Sequence, residues 1–385
     1  MKASSQMWPF LEWLRPRTAA MTRLLGRFVR AESPSIDKAA MDRFGRMVSS
    51  EWRRRGAGVT FLRQRERGDH VRAEWNPRRN RGQGQILVLG HMDTVYGMGT
   101  VAKTPFRLSR GRAFGPGTFD MKGGLVIALF AVDALAAAGR MPGKRIVFLL
   151  TSDEEIGSAT SRESIEREAR RSDAVLVLEP AAGLAGSVKT GRKGVGEIEI
   201  VAAGQAAHAG LNPGEGINAI EEIALQIARV SRWNELGRGI TVNAGVIEGG
   251  TRTNVIPDKA RVLVDVRAER AGDMRALERK FQALSPILRG AKLQIRGGFN
   301  RPPMERKYCA ALYATARALA KEMGVTLGEA YVGGASDGNF TAALGVPTLD
   351  GLGAVGEGAH SPAENVVMRA LPERAALLAG LLTTI

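Results

Sequence analysis

Near the first quarter of this chain an apolar run, Ile86-Leu87-Val88-Leu89, leads directly into Gly90-His91-Met92-Asp93-Thr94. A run of β-formers that breaks at glycine reads as a buried strand whose C-terminal tip presents an imidazole, with a carboxylate two residues on. That pair is a metal-ligand arrangement, because a ligating histidine is usually oriented through its other ring nitrogen by a carboxylate or carbonyl. His91 is then the ligand and Asp93 its orienter. By itself His-x-Asp is a short motif that polar loops also satisfy, so its weight comes from the rest of the chain.

Comparable residues recur at comparable places. Phe119-Asp120-Met121-Lys122-Gly123-Gly124 stands before an apolar helix, and the β run 145–151 breaks into Ser152-Asp153-Glu154-Glu155-Ile156-Gly157-Ser158. A further β run, 174–178, ends in Glu179-Pro180, and Gly358-Ala359-His360-Ser361-Pro362 lies near the end. Together His91, Asp120, Glu155, Glu179 and His360 offer two imidazoles and three carboxylates, donors that suit Zn²⁺. Five such ligands exceed the needs of one catalytic zinc but serve two if one carboxylate bridges. Paired ions roughly 3.5–4 Å apart clamp a hydroxide and polarise a carbonyl. Neighbouring side chains diverge, so of Glu154 and Glu155 one should ligate while the other works as general base and then general acid. Taken singly, Asp120 reads as a helix N-cap, Glu154-Glu155 as a solvated turn and His360 as a loop histidine. Their joint occurrence at element ends is what argues for one rim.

The elements that must position them alternate between strand and helix. Helical patterns cover about 18–29 and 37–55, separated by Glu32-Ser33-Pro34-Ser35, and a hairpin is expected over 59–63 and 70–75, with His70 a surface strand residue. A long Gly- and Pro-containing loop, 95–118, precedes the helix 125–138. Strands alternating with helices predict a mostly parallel, mixed sheet with helices on both faces, and such sheets bind ligands beyond the carboxyl ends of their strands. From Arg192 the texture changes to strand 195–201, helix 217–233, strands 241–247 and 260–267, helix 273–284 and strand 292–296. That β-α-β-β-α-β order predicts an inserted ferredoxin-like α+β domain. The expected division is 1–190 with 298–385 as the catalytic domain and 191–297 as the insertion. A helix over 308–323, a short strand over 346–349 and a last helix complete the α/β part.

Composition agrees with a globular chain. At 385 residues, 44% hydrophobic and 24% charged, it exceeds what one core comfortably serves. The net charge of +16 invites a nucleic-acid or membrane-surface reading. The charge is nevertheless spread through arginine-rich turns (53–55, 63–67, 78–81) with few aromatics and no reader motif, so solvated surface is expected, with neither nucleic acid nor membrane as partner. Residues 1–28 are basic and amphipathic. Packing on their own domain is expected of them rather than a place on a membrane, and they contain no uninterrupted apolar stretch of signal-peptide or membrane-helix length. Cys309, the only cysteine, excludes an intrachain disulfide. A cytoplasmic location is the default expectation.

The motifs, taken in order, resemble the dinuclear zinc metallopeptidases of the glutamate carboxypeptidase, aminoacylase and acetylornithine deacetylase family, most nearly its carboxypeptidase G2 branch. The resemblance rests on Gly90-His91-Met92-Asp93-Thr94-Val95-Tyr96, Gly117-Thr118-Phe119-Asp120-Met121-Lys122-Gly123-Gly124, Thr151-Ser152-Asp153-Glu154-Glu155, Glu179-Pro180, Arg192-Lys193-Gly194 and Gly358-Ala359-His360-Ser361. It implies two Zn²⁺ per subunit, with Co²⁺ or Mn²⁺ as substitutes. Asp120 would bridge them, His91 and Glu179 would complete one site, and Glu155 and His360 the other. It further implies Glu154 as general base, Asp93 as partner of His91, and a cis peptide bond between Asp120 and Met121. The insertion would be a dimerisation or lid domain, whose His208 stabilises the oxyanion in the partner subunit of a homodimer. Arg301 would pair with a substrate carboxylate, with Asn254, Arg267, Gly333 and Gly334 as further substrate contacts. The expected activity is an amidohydrolase acting beside a free carboxylate on small peptides or N-acyl amino acids, most simply a carboxypeptidase releasing glutamate or a similar residue. The alternatives are an N-acyl-amino-acid deacylase and, from another class, a basic nucleic-acid-binding protein without catalysis.

Overall fold

The computed structural model describes residues 6–75 and 84–385, so the arginine-rich turn at 78–81 lies outside the described residues. The strand Gln85–His91 sits between Arg145–Thr151 and Ala174–Val177 and is parallel to both. Thr348–Leu349 adds a further parallel strand beside Ala174–Val177, and the antiparallel hairpin Gly58–Leu62 with His70–Trp75 forms the opposite edge of this six-stranded sheet. The pleat sends successive residues to opposite faces. Ile86, Val88, Ile146, Phe148 and Leu150 therefore enter a large core, while Leu87, Leu89, Val147 and Leu149 enter a smaller one. Apolar residues at every position are what a sheet covered on both faces requires.

Helices supply the two coverings. Thr18–Arg30, Lys38–Arg54, Ala310–Glu322 and Ala370–Thr384 contribute Phe28, Phe44, Leu319 and Leu378 to the large core, and Ile165 of Arg162–Ala169 joins Phe340 in the small one. Gly123–Ala137 is apolar around its whole circumference and almost wholly buried, the pattern of a helix enclosed by others. The basic segment at the start contains a helix not expected from the pattern, Trp8–Leu14, whose Phe10, Leu11 and Leu14 are buried in the same core. Its apolar face is thus used within its own unit. Among the described residues no helix is long and apolar enough to cross a membrane.

Two further expectations change. The stretch 95–118 is not one loop: it holds a short helix, Thr100–Lys103, and the hairpin Arg107–Ser109 with Arg112–Phe114. The hairpin turn is Arg110-Gly111, both at positive φ (47° and 75°). Such a turn is favoured in hairpins, but an arginine in its first position conceals it from sequence patterns. His70 is fully buried rather than a surface residue, because its strand lies inside the edge formed by Gly58–Leu62.

The chain divides into two compact units. The first is the chain up to Gly191 with Arg306–Val332 and Ser336–Ile385, and the second is Arg192–Glu305 with Gly333–Ala335. The return comes at 306 rather than 298 because the last strand of the second unit, Lys292–Arg301, runs five residues past its expected end. That unit has a four-stranded antiparallel sheet in the order Thr241–Gly249, Lys259–Ala268, Gly194–Ala203, Lys292–Arg301. Helices Ala219–Ser231 and Ala271–Gln282 pack on it through Ile223, Leu277 and Phe281 against Ile198, Ile200 and Val264. This is the ferredoxin-like arrangement.

One close approach ties the first unit's fold to its rim. A Cβ on Gly124 would fall 2.3 Å from the carbonyl oxygen of Leu178 and 3.0 Å from Met121 Cε. Gly124→Ala is expected to lower stability by about 1–3 kcal/mol through overpacking, read as a lowered denaturant midpoint with unchanged slope. An unaltered midpoint would mean that the two segments separate at no cost.

Candidate metal centre

Strand register aligns three tips. His91 lies opposite Thr151 and Leu89 opposite Val177, so the segments carrying His91, Glu154-Glu155 and Glu179 leave the sheet at one edge. Asp120 reaches the same edge from the irregular turn before Gly123–Ala137. Its Oδ1 is 3.2 Å from His91 Nε2 and its Oδ2 is 3.4 Å from His360 Nε2. Glu179 Oε1 stands 3.5 Å from His91 Nε2, and Glu155 Oε2 stands 3.2 Å from His360 Nε2. Two groups result, His91/Asp120/Glu179 and Asp120/Glu155/His360, each with ligand atoms within 4.8 Å of one another. All five expected residues are brought together, with Asp120 common to both groups. The Asp120–Met121 peptide bond is cis.

The charges bear strongly on one another. His360 is pushed up to about 10 by Asp120 and Glu155. Burial alone would depress His91, yet hydrogen bonds to Asp120, Asp93 and Glu179 hold it well above the ordinary imidazole range. Burial also opposes the charged form of Asp120, but His360 and His91 keep its carboxyl below the usual value. Glu155 is raised by burial despite the pull of His360. Glu155 Oε1 is buried and accepts no hydrogen bond, a costly state for a carboxylate oxygen unless a cation answers it. Nitrogen and oxygen donors in two overlapping sets fit a pair of divalent cations.

Asp93 organises more than His91. Its main-chain carbonyl is 3.0 Å from His91 Nδ1, nearer than its carboxylate at 3.4 Å. The carboxylate accepts the amides of Glu154 (3.3 Å) and Glu155 (3.2 Å) and the Ser35 hydroxyl (2.7 Å). Asp93 therefore orients the imidazole and fixes the adjacent glutamates together. Glu154 is buried beside this turn and belongs to neither ligand group.

Several supports were not legible as site residues. Glu364 accepts the amides of Gly117 (2.8 Å), Phe119 (2.8 Å) and Asp120 (2.9 Å) and the Tyr96 hydroxyl (2.7 Å). Lys122 Nζ donates to the carbonyls of Phe28 (3.0 Å) and Ala31 (2.9 Å), anchoring the same turn from inside. Ser33 and Ser35, in the stretch read as helix punctuation, bind Met92 O and Asp93 Oδ2. Behind the glutamate turn, Ser152 and Thr160 hydroxyls lie 3.0 Å and 3.2 Å from the two ring nitrogens of His70. The only sequence signal for Glu364 was a carboxylate four residues after His360.

The remaining expected residues belong to the second unit. His208 is exposed on Ala207–His208, and its Nδ1 accepts the amides of Gly210 and Leu211, both at 3.1 Å. Asn254 is exposed next to it and accepts Ala209 N through its carbonyl at 3.0 Å. Arg301 is half-buried at the end of the strand Lys292–Arg301. Arg267 grips Asp265 at 2.9 and 3.2 Å and the Gly333 carbonyl at 3.0 Å, and Arg192 holds the carbonyls of Gly334 and Ala335.

The profile of "Peptidase family M20/M25/M40" matches residues 87–384. The chain is 32% identical over 374 residues to carboxypeptidase G2 of Pseudomonas sp. (strain RS-16), covering 94% of this chain and 88% of that one. It is 29% identical to succinyl-diaminopimelate desuccinylase of Dechloromonas aromatica (strain RCB), covering 76% and 81%. Aminopeptidase PepT from Bacillus cereus ATCC 10987 shares the fold with a TM-score of 0.77 at 22% identity, over 95% of this chain and 98% of that one.

Removing the brace on Asp120 should loosen the centre: Glu364→Gln is expected to bind Zn²⁺ about 10- to 100-fold more weakly, measured by competition with a chromophoric chelator. Parent-like affinity would show that the turn holds itself. Burial lowers His70 below its ordinary value of 6.5, so the unfolded chain takes up a proton there before the folded one does. Its contribution is complete above about pH 6.5 and is lost as pH falls below it. The denaturant midpoint should decline between about pH 7 and 5 more steeply in the parent than in His70→Gln, and parallel profiles would contradict this.

Proposed function

The chain belongs to peptidase family M20/M25/M40 and is a metal-dependent hydrolase, and from that premise we propose that it cleaves an amide bond adjacent to a free carboxylate, releasing a C-terminal glutamate or similar amino acid from peptidyl or N-acyl substrates. The observation that carries the reading is Asp120, whose two carboxylate oxygens address two separate histidine-carboxylate pairs. Membership in a peptidase family sets aside the non-catalytic nucleic-acid binder as the alternative class.

In this reading His91, Asp120 and Glu179 hold one divalent cation, and Asp120, Glu155 and His360 hold the other, most simply Zn²⁺ with Co²⁺ or Mn²⁺ as substitutes. What such a pair supplies when bound is Lewis acidity at the scissile carbonyl and a lowered water pKa. Glu154, unshared with the ligand groups and fixed through its amide to Asp93, takes the proton of the attacking water and returns it to the leaving nitrogen. Asp93 keeps the His91 ring hydrogen on Nδ1, which leaves Nε2 as the donor to metal. In His208 the two amides on Nδ1 place the ring hydrogen on Nε2, a donor suited to a developing oxyanion in a partner subunit.

Homodimerisation is part of the proposal. The edge strand Thr241–Gly249 carries Val246 and Ile247, respectively 47% and 54% exposed, which supports pairing with a second copy. Arg301 and Asn254 are assigned to the substrate's carboxylate end. Arg267, committed to Asp265 and Gly333 O, acts by holding the Gly333-Gly334 loop. The buried, single Cys309 suits a reducing, cytoplasmic setting.

The similarity to a desuccinylase favours a second reading, deacylation of an N-acyl amino acid. Parallel assays of a peptidyl or N-aroyl glutamate and of N-succinyl and N-acetyl amino acids separate the two, and failure on all of them would remove both. Glu154→Gln is expected to keep its metal content while kcat falls about 10²- to 10⁴-fold. Zinc and activity lost in equal measure would contradict its role as proton carrier.

A further inference from the structure

The chain carries a net charge of +16. On the first unit, arginines distant in sequence meet on one face. A groove of about 830 Å³ sets Arg23, Arg27, Arg30 and Arg107 around Phe106, Leu108 and Met368. A second groove shares Thr18 and Met368 with it and adds Arg110, Arg112 and Arg369 against one acid, Glu373. A third shares Arg107 with the first and Arg110 and Arg112 with the second. The three are therefore one continuous basic surface.

Its charge is only partly answered. Arg27 pairs with Glu51 at 2.7 Å and Arg112 pairs with Glu357, but Arg23, Arg110 and Arg369 make no ion pair among the described residues. Aliphatic side chains stand between the guanidinium groups, with Leu108 56% and Leu184 51% exposed. The aromatic rings are already covered: Arg30 lies 5.3 Å from the Phe106 centroid and Arg107 lies 4.0 Å from that of Phe114.

We propose that this face docks reversibly on an anionic phospholipid surface, against the expectation from sequence that no membrane is a partner. Arginine forks match phosphodiester oxygens, and clustered basic residues are drawn to acidic leaflets. Leu108, on the hairpin Arg107–Ser109/Arg112–Phe114, and Leu184 supply apolar contacts at headgroup depth. Single-stranded nucleic acid is the poorer fit, since it is held by rings on which bases stack and both rings here lie under guanidinium groups. The attachment is peripheral, because no described helix is long and apolar enough to cross a bilayer.

The test is co-sedimentation of the full chain with vesicles of phosphatidylcholine, with and without phosphatidylglycerol. Binding is expected only with phosphatidylglycerol present, and is expected to fall as salt is raised. Arg23→Gln, Arg110→Gln and Arg369→Gln should each reduce partitioning about fivefold, and Leu108→Ser should weaken it further, with circular dichroism and thermal midpoint unchanged. No binding to phosphatidylglycerol vesicles, or binding that all four variants leave intact, would overturn the proposal. Equally tight binding to single-stranded DNA that Leu108→Ser does not affect would overturn it in favour of a polyanion site.

Discussion

Three carboxylates and two imidazoles packed around one point repel, attract and desolvate one another, and the architecture of the first unit answers that constraint. Asp120 faces both histidines at once, a placement that no single strand or loop could maintain against the neighbouring Glu155 and Glu179. The surrounding backbone supplies the restraint. Three amides converge on Glu364 and two on Asp93, so the segments bearing Asp120 and the glutamate pair are fixed by buried carboxylates that are not themselves in the ligand groups. Buried acceptors satisfied by several main-chain donors are rigid, and rigidity is what a two-ion site requires.

The sheet makes this possible by bringing distant segments to a common edge. The strand carrying His91 lies between the strands that precede Glu154 and Glu179, and its alternating residues feed two cores on opposite faces. Neither face is available to solvent, so the strand ends are the natural place for polar chemistry. Close backbone approach, as where Gly124 meets Leu178, then sets the spacing between tips.

Much of this was legible in the chain because it is written locally. The apolar runs ending in His91, before Glu154 and at Glu179 announce strand ends, and the β-α-β-β-α-β order of the second unit is periodic enough to read. What escaped depends on partners far away in sequence. Glu364 looks like any loop acid until its carboxylate meets residues near 120, and Ser35 looks like helix punctuation until its hydroxyl meets Asp93. His70 falls in an alternating strand whose outer neighbour covers it, so strand periodicity alone misplaces it. Arg267 is another such case: nothing local in the sequence announces that Asp265 and the Gly333 carbonyl hold its guanidinium.

The first unit is interrupted between Gly191 and Arg306, and this has a consequence for how the centre matures on the ribosome. His91, Asp120 and Glu179 have all been translated before the insertion begins, whereas His360 and Glu364 follow only after it. At about 5–20 residues per second the delay is about 10–35 s. During that interval the nascent chain carries one triad of donors, and the loop that bears their common aspartate still lacks its C-terminal anchor.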